Sequence, residues 1–135
     1  MEGRLTLTVV TPERAVLSGV ACDDVVLPGL DGEIGILPAH TPLITLLGTG
    51  AVTYRDGQRK VSVAVRGGFA EIAGDAVRVL ADEAVPKDAI DAEGASREKA
   101  EAEARRATVT GDEELDAANA DARFAEARLA ILRPA

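Results

Sequence analysis

The chain carries one histidine, His40, and one cysteine, Cys22, and neither has the neighbours that chemistry needs. Acyl transfer wants a nucleophile with a base beside it, and a zinc site wants several His or Cys ligands, so both are disfavoured. The acidic pairs Asp23-Asp24 and Asp82-Glu83 are adjacent in sequence. Strand alternation is expected to turn the members of each pair to opposite faces, which opposes a carboxylate dyad. The segment GLDGEIG, Gly29 to Gly35, has the glycines of a phosphate loop, yet no Gly-Lys-Ser/Thr and no helix signal follow it. The triplet Arg66-Gly67-Gly68 reads as a turn between strands. No catalytic constellation and no metal site emerges.

Composition narrows the partners. The formal net charge is −8 and the isoelectric point about 4.6, so a phosphate backbone would be repelled and nucleic acid is not an expected partner. Tyr54, Phe69 and Phe124 are the whole aromatic set, which leaves no base-stacking platform. Cys22 has no internal disulfide partner, which fits a reducing compartment. Met1 to Arg14 alternates apolar and polar residues without a signal-peptide core. No apolar run approaches the roughly 20 residues that span a bilayer. The expectation is a soluble, intracellular chain with no direct membrane insertion, although docking on a membrane complex remains open.

Two periods divide the chain. From Leu5 onward, LTLTVV, CDDVVL, AVTYR, KVSVAV, AEIA and AVRVLA are strand-like runs rich in Val and Thr. Thr11-Pro12, Pro28-Gly29, Asp31-Gly32, Asp56-Gly57, Gly67-Gly68 and Gly74-Asp75 punctuate them as turns of an all-β sandwich or barrel. The β domain is placed at residues 1–84. After Pro86-Lys87 the composition turns to Ala, Glu, Asp and Arg, and residues 87–135 read as an antiparallel helical hairpin. Asp88 is the expected N-cap of its first helix, with Arg105-Arg106 near the negative end of the dipole, and Gly111-Asp112 starts the second. Ile90 is the one large apolar residue of the first helix. Alanine pairs approach closely but bury little area, at about 0.8 kcal/mol per CH₂, so the hairpin is expected to be weakly held, with Gly94 costing about 1 kcal/mol more.

The order DGEIGILPAHTPLITLLGTG, then a Val-rich hairpin, then GGFAEI, VRVLADEAV and a two-helix tail resembles the ε subunit of F-type ATP synthase over essentially the whole chain. The resemblance implies a sandwich of about ten strands followed by a two-helix hairpin, α+β in sequence order. It implies a non-catalytic rotor subunit that joins γ to the c ring. Its arm would either fold on the sandwich or extend into the catalytic αβ head and restrain ATP hydrolysis. The location implied is peripheral, on the cytoplasmic face of the bacterial plasma membrane or its thylakoid or mitochondrial equivalent. The rival reading is a nucleotide-sensing module in which ATP controls the arm.

Site residues follow from the same resemblance. The stretch from Asp31 to Pro42 would face the c-ring loops through Asp31, Glu33, Ile34, Leu37, His40 and Pro42. In ILPAHTPL the two prolines leave carbonyls without ladder donors, and His40 is expected to tie the turn together. Family members that bind ATP resemble one another in Ile/Leu-Asp-x-x-Arg-Ala at the start of the first helix. Here the segment is IDAEGA, so Gly94 replaces the arginine while Asp91 remains. Arg128 sits at a comparable place on the second helix, and Arg97 and Arg123 are the candidate substitutes. Weak or absent ATP binding is expected, and no other cofactor.

Overall fold

The computed structural model describes residues 3–134. Ten strands precede two helices: β1 (Leu5–Val10), β2 (Ala15–Cys22), β3 (Asp24–Gly29), β4 (Gly32–Ile36), β5 (Leu43–Leu46), β6 (Thr49–Asp56), β7 (Arg59–Arg66), β8 (Phe69–Ala73), β9 (Ala76–Leu80), β10 (Glu83–Pro86), α1 (Ala92–Thr108) and α2 (Asp112–Leu132). One sheet has the order β2-β1-β9-β8-β5 and the other β10-β7-β6-β3-β4. Pairing is antiparallel except between β1 and β9, which run parallel.

Alternation builds the core. Leu5, Leu7 and Val9 of β1 meet Val25, Leu27, Val52, Val63, Val65, Val77 and Val79, all buried in one cluster between the sheets. Each such side chain contributes about 1.5–3 kcal/mol on burial. Ala64, which faces the other way on β7, is also buried. It lies on the strand that α2 covers.

Several expected turns take a different form. Gly67-Gly68 is a corner rather than a hairpin, because β7 and β8 belong to opposite sheets. Both glycines have positive φ, and a Cβ on Gly68 would stand 2.0 Å from the Leu80 carbonyl oxygen. Pro28-Gly29 ends β3, and GLDGEIG is the β3–β4 hairpin, with Gly29 opposite Gly32. Part of the stretch Asp31 to Pro42 is therefore the edge strand β4, not a loop.

The β region also runs further than residue 84. Ala84 pairs with Val65 and Pro86 with Val63, so a cut after Ala84 would bisect β10. Asp88 does not cap α1. It lies in a 3-10 turn, Lys87–Ala89, which ends at an extended Ile90. Asp91 takes the N-cap position instead. Gly94 then falls in the first turn of α1, where the mid-helix penalty expected for it does not apply. The second helix begins after Gly111, with Asp112, Glu113 and Glu114 in its first turn.

Candidate functional site

The hairpin lies outside the core cluster. Its α2 packs on β6 and β7 and pairs with α1. The buried contacts of the arm are Gly94, Ala95 and Ala102 from α1 and Ala118, Ala122, Phe124 and Ala125 from α2. Only Phe124 among them is large.

Charge reinforces this thin seam. Asp121 on α2 is clasped from both sides: Arg66 Nη1 of β7 lies 2.6 Å from one carboxylate oxygen, and Arg105 Nη2 of α1 lies 2.7 Å from the other. The Arg105 hydrogen bond, followed by that from Arg66, outweighs desolvation and holds the Asp121 carboxyl below its ordinary range. On the α1–α2 seam, Glu126 receives Lys99 Nζ at 2.9 Å and Arg133 Nη2 at 2.7 Å. These bonds, Lys99 first, lower its pKa too.

A cleft of about 410 Å³ opens beside the clasp, lined by Arg66, Glu83, Glu98, Glu101, Arg105 and Arg128 among others. Of the four candidate nucleotide residues, only Arg128 lines it. Its guanidinium pairs with Glu98 and lies 4.7 Å from the centroid of the Phe124 ring. Arg97 and Arg123 are exposed. Asp91 lies against Gly94, where a Cβ would meet its Oδ2 at 2.6 Å. The guanidinium groups of the cleft already face carboxylates.

A second surface lies at the β3–β4 tip. Asp31, Glu33, Leu37 and Pro42 are exposed, while Ile34 and His40 are half-buried. A shallow cleft of about 410 Å³ separates the tip from β5, with Leu30, Asp31, Glu33, Ile34, Ile44 and Leu46 on its walls. Leu46 pairs with Phe69, Phe69 with Leu80, and Leu80 with Val10. Residues directly opposite across strands share a face, so these four form one row on the outside of the sheet. With Leu30 at 63% and Ile44 at 70% exposure, this is a contiguous apolar face of the kind that marks protein contact.

His40 does not span its turn. Its Nδ1 lies 2.6 Å from the carbonyl of its neighbour Thr41. The tie across the turn comes from Asp75, which accepts the Ala39 N–H at 2.8 Å while Ala39 holds a φ of 64°. Nor do Asp23 and Asp24 diverge. Asp23 sits in the break between β2 and β3, and both carboxylates reach Arg55, at 3.6 and 2.7 Å. Among the described residues no group of three or more His, Cys, Asp or Glu could hold a metal.

The sequence pattern of the family described as ATP synthase, Delta/Epsilon chain, beta-sandwich domain matches residues 4–87. The chain is 40% identical over 132 residues to the ATP synthase epsilon chain of Myxococcus xanthus, covering 98% of this chain and 90% of that one. The chain belongs to the ATP synthase epsilon family. It is also 46% identical over 129 residues to the epsilon chain of Moorella thermoacetica, covering 93% of each. As an epsilon chain it is a stalk subunit of ATP synthase rather than a catalytic one. The fold is similar to a chain in the Euglena gracilis mitochondrial ATP synthase, OSCP/F1/c-ring, at a TM-score of 0.81 and 23% identity, over 96% of this chain and 82% of that one. A chain of the Tetrahymena thermophila mitochondrial ATP synthase central stalk/c-ring matches at a TM-score of 0.62 and 12% identity.

The clasp was not readable in advance, because Arg66, Arg105 and Asp121 are far apart in sequence. The outward apolar row did leave a signal. Leu43-Ile44 and Leu46-Leu47 are consecutive apolar residues, so one of each pair must face away from the core.

Proposed function

We propose that this epsilon chain couples the γ subunit to the c ring and restrains ATP hydrolysis by releasing its helical arm toward the αβ head. The observation that carries the reading is the seam itself: an arm held outside the core by alanines, Phe124 and the Asp121 clasp. Such a contact is strong enough to dock and weak enough to part. The row Leu46–Phe69–Leu80–Val10 is the surface we assign to γ, since its apolar area wants a permanent protein cover. The β3–β4 tip and the Leu37–Pro42 segment, with Asp31 and Glu33 outward, suit the polar loops of the ring. Here Glu33 acts as a rim charge contributing about 0.2–1 kcal/mol. No helix among the described residues is long and apolar enough to cross a membrane, and the attachment proposed is peripheral, through these partners, on the cytoplasmic face.

The rival reading, a nucleotide sensor, draws on the arginines of the cleft. Arg66, Arg105 and Arg128 are all engaged by carboxylates, and a phosphate would have to displace Asp121 or Glu98. Weak or absent ATP binding is therefore retained. Cysteine cross-linking in the assembled enzyme tests the surfaces. Leu46→Cys should bond to γ and Glu33→Cys to a c-ring loop, while Gly57→Cys, at the β6–β7 turn, should do neither efficiently. Equal yields at all three positions would overturn the assignment.

A further inference from the structure

Most of the fifteen Lys and Arg residues sit in ion pairs. Among the described residues, Arg14, Arg59, Lys60, Lys87, Arg97 and Arg123 do not. Three of them, Arg59, Lys60 and Lys87, surround a single cleft of about 640 Å³, separate from the one beside Asp121. Its apolar wall is Val61, Pro86, Ile131 and Leu132, and among the described residues Asp88 is the one carboxylate that lines it. In a chain of net charge −8, a locally cationic cleft with an aliphatic wall stands out.

We propose that this cleft binds a monomeric amphiphilic anion, a phosphate or carboxylate head on an aliphatic tail, and that the bound molecule holds the arm folded. The head belongs at Arg59, Lys60 and Lys87, whose long stems can follow it while their charges pair. The tail belongs at Ile131 and Leu132, because the carbonyl end of α2 has no basic residue in its last turn and repels a headgroup. A nucleotide fits less well. No aromatic ring lines the cleft, and the Ser62 hydroxyl is hydrogen-bonded to Thr53 at 2.8 Å, so little is left to read a base. The wall comes from three places: the start of β7, the end of β10 with the 3-10 turn that follows it, and the end of α2. The site is complete only while the arm is docked, so occupancy stabilises the docked state by RT ln(1 + [L]/Kd).

The test is a titration of the full chain with dodecyl phosphate kept below its micelle-forming concentration, followed by amide NMR shifts and by hydrogen exchange in α2. Dodecanoate is the carboxylate arm. Inorganic phosphate, dodecyltrimethylammonium and phosphatidylglycerol vesicles are the comparisons. Saturable shifts at Lys60, Val61, Lys87, Ile131 and Leu132, with slower exchange in α2, are expected for both anionic amphiphiles. Neither inorganic phosphate nor the cationic amphiphile should saturate. The double variant Lys60→Glu, Lys87→Glu changes two exposed residues, should keep native exchange in the core, and should bind at least tenfold more weakly. Shifts centred elsewhere, equal binding of the cationic amphiphile, or undiminished affinity in the double variant would overturn the proposal. So would a response to vesicles with none to the monomers, which would point to a membrane surface instead. Because the titration uses the free chain, its failure would leave the rotor role untouched.

Discussion

Arg66 on β7 and Asp121 on α2 stand 2.6 Å apart, and among the described residues theirs is the one ion pair joining the sandwich to the helical arm. Asp121 also binds Arg105 of α1, so a single carboxylate gathers both helices and the sheet. Both groups are partly exposed, which limits such a pair to about 0.2–1 kcal/mol. Asp121→Asn should therefore speed hydrogen exchange in α2 by up to about fivefold while leaving the core strands unchanged. Equal acceleration in β1 and β9 would mean that the clasp stabilises the whole fold rather than the docking.

The pH dependence follows from the sign of the shift. Asp121 has its pKa lowered in the folded state, by Arg105 first and then Arg66, from an ordinary value of 3.8. Its contribution is complete above that ordinary value and is lost as pH falls through the lowered one. Arm docking should then be flat from about pH 5 to 8 and loosen only in stronger acid, while salt weakens it at every pH. A carboxyl NMR titration should place the Asp121 midpoint below that of an unstructured aspartate. A midpoint above it would exclude the clasp in solution.

Cys22 is fully buried, and desolvation raises its pKa. The native thiol should resist a water-soluble disulfide reagent and react fully once the chain is unfolded. Rapid reaction of the native chain would show that the end of β2 opens.

Gly68 makes the most constrained turn of the sandwich. Its φ is +96°, and a Cβ there would lie 2.0 Å from the Leu80 carbonyl oxygen. Gly68→Ala should cost about 3 kcal/mol or more in urea unfolding, from the backbone and the collision together. Gly57→Ala meets no atom within 4 Å, so only the positive φ opposes it and its cost should be about 1 kcal/mol.

What could be read from the chain was local. The acidic first turn after Gly111 marked α2, and alternation in LTLTVV and KVSVAV marked β1 and β7, because these signals lie within a few residues of what they specify. Asp88 misled because Pro86-Lys87 leads into a short 3-10 turn, and the extended Ile90 postpones the helix to Ala92. Ala39 and Asp75, which fix the turn around His40, are brought together only by the folded sandwich. The same is true of Arg66 and Asp121. Corner glycines and hairpin glycines look alike in sequence, and only the change of sheet at Gly67-Gly68 separates them.

The arm's regulatory role is tested most directly by removing it at the boundary the strands define. A chain ending at Lys87 keeps the whole of β10, including the Pro86–Val63 pairing. Reconstituted into the enzyme, it should still join γ and the c ring, and ATP hydrolysis should rise above that of the enzyme carrying the full chain. Unchanged or lower hydrolysis by a fully assembled enzyme would contradict the account.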